Sequence, residues 1–373
     1  MGKPHHILLV PGFFGFANLG DFTYFGHVRN WLASAGPDLG IDGEVRVART
    51  EPTASLTRRA ALLCEAVSDL LDESPGRVSL VGHSSGGLDA RLLVTPGAKL
   101  PTPADVERCA RAVRTVVTVS APHLGTPLAQ FFGGMLGQQF LRLLSLVSIY
   151  TLRTGRLPIT VGLKLARLLR NPRSRPAGAV DQIFLELLGD FEGDRRRAVQ
   201  QFLEGVRSDQ GLVAQISPAG MEVFNASTQD RPGLRYGSVV TRARPPGVRS
   251  LWRAGLDPSH QVTHALFVAL YRLSAGGGEG GLPRITRDHA AVLRRAYGRI
   301  PDAAANDGIV PTLSQIHGEL VAATWADHHD VIGHFDLPTH VPPHFDWMAS
   351  GTGFGLEAFE QVWRRVAIFA ATI

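Results

Sequence analysis

The chain has 373 residues, 44% hydrophobic and 19% charged, a balance that suits a core-forming protein and excludes a disordered or fibrous one. Its 38 Lys/Arg against 33 Asp/Glu give a net charge of +5, a mild excess that does not by itself imply nucleic acid. The charge is unevenly placed: residues Arg108 to Val180 hold 11 Lys/Arg and no Asp or Glu, which leaves the remainder slightly acidic, at 27 against 33. That basic segment is rich in Leu, Phe and Val rather than polar, so a nucleic-acid groove is not its natural reading.

The apolar run His6–Val10 predicts a first strand buried on both faces. A glycine-rich loop follows, then a helix around Tyr24–Ala35 closed by Gly36, and a second strand at Glu44–Ala48. From about Ser55 to Leu71, Leu56, Ala60, Leu63, Val67 and Leu70 fall on one helical stripe. A strand at Val78–Val81, a sharp turn, a helix at about Gly86–Leu93 and a strand at Val113–Val119 come next. Strands alternating with helices predict an α/β protein with a mostly parallel sheet covered on both faces. After Pro127 the pattern becomes helical, with breaks at Pro158, Asn171–Gly178 and the charged run Asp190–Arg197. Strand character resumes at Leu234–Thr241. An excursion over 243–303 holds a helical stretch at Val262–Leu273 and the flexible GGGEGG of Gly276–Gly281. A last strand at Glu319–Trp325 and a helix at Glu357–Ala370 complete the layer. The expected organisation is a core in two parts, 1–127 and 225–373, separated by a helical cap or lid, 128–224.

Cys64 and Cys109 are too few for a disulfide framework, and Cys64 reads as a small core residue. The opening MGKPHHILLVPGFFG is too short in its apolar run for a secretory signal. No stretch approaches 18 predominantly apolar residues; the run Leu143–Leu152 ends at Arg153. The default expectation is a soluble, cytoplasmic protein.

The segment RVSLVGHSSGGLDARLL carries the sharpest signal, because Gly82, Ser84 and Gly86 fill the pattern G-x-S-x-G. A nucleophile in that pattern sits on a strained strand-to-helix turn, and small flanking residues let the crossing chains pass. The N-terminus of the following helix offers free N–H groups to a developing oxyanion. The match follows a Val/Leu strand and opens an amphipathic helix, the context that the motif requires. Ser84 is the candidate nucleophile, and the N–H of Ser85 a candidate oxyanion donor.

With that motif in place, the chain resembles the bacterial triacylglycerol lipases of the Pseudomonas, Burkholderia and Proteus type, in the α/β-hydrolase superfamily. LLVPGFFGF (Leu8–Phe16), VGHSSGG (Val81–Gly87), SAPHLGTPLA (Ser120–Ala129), NDGIVP (Asn306–Pro311) and ADHHDVIGHF (Ala326–Phe335) carry the resemblance. It implies an α/β-hydrolase fold with an inserted helical lid. It also implies that Phe13 N–H is the second oxyanion donor, although Pro11 stands where the family has His. Ser85 stands where the family usually has Gln.

In this superfamily the acid and then the histidine follow the serine along the chain. The resemblance aligns Asp307 with the acid, and an Asp-Gly pair suits a tight turn whose carboxylate orients an imidazole. The tail offers His317, His328, His329, His334, His340 and His344 as bases, and the resemblance places His328 at the catalytic position. His329 is the nearest alternative. His83 reads as a packing residue, and His123 as a buttress near the pocket. Asp330 aligns with a carboxylate that binds a structural Ca²⁺ in related lipases; Asp288 is the one partner nameable upstream, and its match is poor, so a solvated or His-paired side chain is the favoured reading of Asp330. The chemistry itself requires no cofactor.

Within Leu128–Arg170, Phe131, Phe132, Leu136, Phe140, Leu141, Leu144, Val147, Leu152, Leu163, Leu165 and Leu168 occur with only basic charges, among them Arg142, Arg153, Lys164, Arg167 and Arg170. This suits either a mobile lid that meets a lipid surface or an ordinary helical subdomain packed on the core. The expected activity is hydrolysis of fatty-acyl esters, acylglycerols among them. An acyltransferase using the same three residues and a non-catalytic lipid-binding protein are the alternatives.

Overall fold

The computed structural model describes residues 3–13, 24–133, 179–209, 211–253, 255, 258–276 and 281–372, with isolated positions between 143 and 164. Phe14–Phe16 of the first motif, most residues named above for the cap (Leu136, Phe140, Leu141, Arg142, Leu144, Leu152, Arg153, Leu163, Leu165, Arg167, Leu168 and Arg170), the break 171–178 and residues 277–280 lie outside the described residues.

Strand β1 (His5–Val10) is buried along its whole length. Its alternate residues divide between two cores, Ile7 and Leu9 on one face and Leu8 and Val10 on the other. A strand apolar at every position needs cover on both sides. The cover on one face is α1 (Gly26–Ala35) and α13 (Leu356–Ala371), through Val28, Leu32, Trp363 and Val366. On the other face lie α2 (Leu56–Glu73), α3 (Ser85–Val94) and α4 (Val106–Ala112). All five residues of the expected α2 stripe are buried, and Ser55 caps the helix by accepting a hydrogen bond from Arg58 N–H. Each Leu or Val among them, withdrawn from water, stabilises by about 1.5–3 kcal/mol.

Strands β2 (Val45–Val47), β3 (Arg77–His83), β4 (Val113–Val119), β5 (Arg235–Arg242) and β6 (Glu319–Trp325) complete a six-stranded sheet of order β2-β1-β3-β4-β5-β6. Every pairing is parallel. The chain therefore has the α/β-hydrolase type of architecture, a parallel sheet flanked by helices, with all six strands near their expected positions. Because the strands run the same way, the loops after β1, β3, β5 and β6 emerge at one end, where such sheets bind ligands.

Between β4 and β5 lie α5 (Pro127–Gly133), α6 (Ala179–Gly189), α7 (Gly193–Ser208), α8 (Gly211–Gln215) and α9 (Pro218–Ser227). Between β5 and β6 come α10 (Val248–Arg253), α11 (Pro258–Ala275) and α12 (Arg287–Tyr297). The sequence reading does not anticipate α4, α10 or α12. In α12 a Thr286–His289 capping box starts the helix, and Ala290, Leu293 and Tyr297 form its buried stripe. The two cysteines are free, with Cys109 Sγ donating to Cys64 O at 3.5 Å. No described helix is long and apolar enough to cross a membrane.

Candidate active site

β3 ends at His83 and α3 begins at Ser85, so Ser84 must turn the chain alone. It does so at φ 55° and ψ −132°, a left-handed backbone that non-glycine residues seldom adopt. Ser84 N–H donates to Val119 O at 2.8 Å, which pins the turn to β4. The neighbouring glycines are there for space. A Cβ on Gly82 would lie 2.4 Å from Gly86 carbonyl atoms, and one on Gly86 would lie 2.2 Å from Val10 O. The loop after β1 closes in as tightly: a Cβ on Gly12 would meet Ser84 Cβ at 2.6 Å. Phe13, next after Gly12 in that loop, lines one cavity with Ser84, and Ser85 follows Ser84 in the chain. Ser85 opens α3, so its N–H has no acceptor within the helix. The Pro11 carbonyl accepts from Arg59 Nη2 at 2.7 Å.

Asp307 is fully buried and surrounded by donors. Its Oδ1 accepts from the N–H groups of Ile309 and Val310 at 3.0 and 2.8 Å. Its Oδ2 accepts from Thr241 Oγ1 at 2.8 Å and Gln315 Nε2 at 3.2 Å. The same oxygen lies 2.8 Å from His328 Nδ1. A carboxylate there requires Nδ1 to carry the proton, which leaves Nε2 as a lone-pair acceptor. His328 and Ser84 line one cavity. No hydrogen bond joins the two among the described residues; such contacts commonly tighten only when substrate binds.

The other tail histidines lie elsewhere. His317 pairs with Asp230 at 3.0 Å, and His329 packs its ring on Trp347. His334 Nε2 donates to Tyr24 O, His340 Nδ1 to Pro342 O and His344 Nδ1 to Gly333 O. None of the five hydrogen-bonds to Asp307 among the described residues. His123 is buried, with Nε2 3.0 Å from Thr118 Oγ1.

His83 does more than pack. Its Nε2 donates to the backbone carbonyl of His328 at 2.8 Å, so its Nδ1 is the acceptor, and Tyr24 Oη donates to it at 2.6 Å. Burial raises the phenol far above its ordinary range and holds His83 neutral by lowering its pKa well below the usual imidazole value. One directed chain of hydrogen bonds therefore links Tyr24, just before α1, the end of β3 beside Ser84 and the histidine loop.

The cavity encloses about 460 Å³ free of atoms, counting its open mouth. Apart from Ser84, Thr126 and His328 its walls are apolar, among them Phe13, Leu128, Phe132, Val213, Ile216 and Ile309. The apolar lining is the chemistry of a site that buries a hydrocarbon chain.

Behind the histidine loop, carboxylate oxygens of Asp327, Asp330 and Asp346 lie within 4.8 Å of one another. Asp288 is not among them; it is exposed in the first turn of α12. Burial first, and neighbouring carboxylates second, push Asp346 up to about 8 and Asp330 well above the carboxylate range. Asp327 rises to about 6, chiefly through burial. No Lys or Arg pairs with the three among the described residues. A set of carboxylate oxygens, buried at Asp327 and Asp330 and half-buried at Asp346, with no counter-charge fits a hard divalent cation.

A family model described as "Putative serine esterase (DUF676)" matches residues 53–157, from the start of α2 past β4, with Ser84 inside it. No curated protein matches the chain by sequence. Among solved structures, lipase 1 from Pelosinus fermentans is 16% identical with a TM-score of 0.55, over 100% of this chain and 99% of that one. EstA from Clostridium botulinum is 17% identical with a TM-score of 0.54, over 100% and 88%. The Staphylococcus hyicus lipase is 15% identical with a TM-score of 0.53, over 99% and 96%. At such identities the likeness carries the fold, and the family match adds chemistry to it. The chain has the α/β-hydrolase fold, and the family match supports a serine ester hydrolase.

Proposed function

We propose that the protein hydrolyses fatty-acyl esters, acylglycerols among them, through an acyl-enzyme on Ser84. The observation that carries this reading is the buried Asp307–His328 pair opening onto an apolar cavity that also holds Ser84. Ser84 Oγ attacks the ester carbonyl while His328 Nε2 takes its proton, and Asp307 stabilises the imidazolium that forms. The N–H groups of Phe13 and Ser85 receive the oxyanion. His328 then protonates the departing alcohol, and water repeats the sequence to release the acid. Helices between β4 and β5 cap the cavity, with Phe132, Val213 and Ile216 as their apolar side. The resemblance to triacylglycerol lipases favours a long acyl group over a short one.

Asp327, Asp330 and Asp346 are proposed as ligands of a divalent cation, Ca²⁺ by donor type. Held by these three carboxylates, such a cation would neutralise the cluster, and Asp346 would join the loop 346–352 to the segment carrying His328. Chemistry at the ester stays with the protein's own side chains.

Turnover of p-nitrophenyl esters from C4 to C16 tests the substrate class. The expected result is a maximum at C8 or longer that disappears in Ser84→Ala. Activity confined to C4 would make the protein a small-ester esterase.

A further inference from the structure

Helix α10 (Val248–Arg253) leaves its apolar side outward. Val248, Leu251 and Trp252, spaced i, i+3 and i+4 and so on one face, are 73%, 45% and 75% exposed. The opposite side is fixed: Ser250 is buried, and its backbone presses so close to Gly351 that a Cβ there would lie 2.7 Å from Ser250 O. The exposure is therefore a property of a seated helix. Arg249 and Arg253 flank the apolar face, and Arg244 lies near Arg253, close enough that burial first and then the Arg253 charge lower its pKa. No residue from Ala243 to Gly255 is acidic, and none of the three arginines forms an ion pair among the described residues. Arg244 is half-buried and lays its guanidinium over the Trp325 ring at 4.6 Å, which leaves Arg249 and Arg253 as the exposed cations beside a protruding Trp, and these call for an anionic partner with an apolar interior.

We propose that α10 is a docking element for an anionic lipid surface, with Val248, Leu251 and Trp252 entering the headgroup boundary and Arg249 and Arg253 pairing with lipid phosphates. A protein partner is less suited, because side chains that project this far form no groove, and a stable protein interface needs roughly 1,000 Å² of matched surface. A lipid surface needs no matched shape. Position agrees: α10 begins six residues beyond the C-terminal end of β5, at the sheet end from which Ser84 also emerges. Docking there would bring the cavity's end of the molecule to the lipid. This role lies outside the cap helices, and it stands whether or not the protein hydrolyses esters.

The test is co-sedimentation of the full chain, carrying Ser84→Ala so that no lipid is consumed, with phosphatidylcholine vesicles and with vesicles that also contain phosphatidylglycerol. The expected result is binding to the anionic vesicles that added salt weakens. Arg249→Ala and Arg253→Ala should each lower affinity roughly fivefold, and Trp252→Ala should lower it further. Trp252→Ala in the otherwise native chain should change neither the melting temperature nor turnover of a water-soluble ester, which separates docking from folding and catalysis. Equal vesicle binding by parent and variants would overturn the proposal, as would no binding, or salt-insensitive binding to both vesicle types. A dimer in light scattering that Trp252→Ala dissolves, without vesicle binding, would assign the patch to a second copy and overturn it too.

Discussion

Tyr24 lies 59 residues before His83, yet its phenol fixes which nitrogen of that imidazole accepts, and His83 in turn holds the backbone of His328. Tyr24→Phe removes the donor and leaves His83 Nδ1 buried without it. The account expects kcat on a soluble ester to fall roughly tenfold with KM unchanged, because substrate contacts are intact while the base is less well held. A variant that only lowered the melting temperature would make the contact a packing detail. Ser84 was legible in the sequence because a local pattern, strand, glycines and helix, specifies its backbone. Asp307 and His328 were legible through the resemblance, and their 2.8 Å contact agrees with it. Tyr24 was not legible, since a tyrosine's role depends on what the fold brings to its hydroxyl.

Arg59 and Asp89 join two elements, α2 and α3, through a pair with no solvent exposure. Arg59 also donates to the carbonyls of Glu51, Pro52 and Pro11, so one guanidinium ties both helices to the loop that ends beside Ser84. Arg59→Leu leaves Asp89 buried without its counter-charge, and such a loss costs about 3–5 kcal/mol. Urea unfolding should show that loss, with much of it recovered in Arg59→Leu/Asp89→Leu; a single variant within about 1 kcal/mol of the parent would contradict it. Elements were legible where burial dictates composition. All six strands are apolar runs or alternations that a covered parallel sheet requires, and α2 shows its stripe openly. Helices α4 and α12 were hidden because charged residues such as Arg108, Arg294 and Arg295 dilute a short buried stripe. Arg59, a charge inside the α2 stripe, gives no local sign that its partner comes from α3.

At the scale of the molecule, the basic excess near the middle of the chain contrasts with the acidic cluster built by Asp327, Asp330 and Asp346. The sequence singles out Asp330 alone, through the resemblance, and favours a solvated or His-paired side chain for it; Asp346 reaches the cluster along a loop whose path no local pattern specifies. Folding raises these carboxyl groups above their ordinary values. Stability tied to their protonation is therefore complete below about pH 4 and lost as pH rises through about 6 to 8. Melting with EDTA should accordingly fall between about pH 5.5 and 8.5. Ca²⁺ at a hundredfold excess over Kd should restore roughly 2.7 kcal/mol at the higher pH and much less at the lower, with no effect in Asp346→Asn. Equal melting with Ca²⁺ and EDTA at the higher pH would count against a cation there. The central claim, that Ser84 is the attacking group, is tested most directly by peptide mapping after reaction with a p-nitrophenyl alkylphosphonate. The account predicts one phosphonyl group per chain, on Ser84, with release of p-nitrophenol, slow in Asp307→Asn and absent in Ser84→Ala. An adduct on another residue, or undiminished labelling of Ser84→Ala, would contradict it.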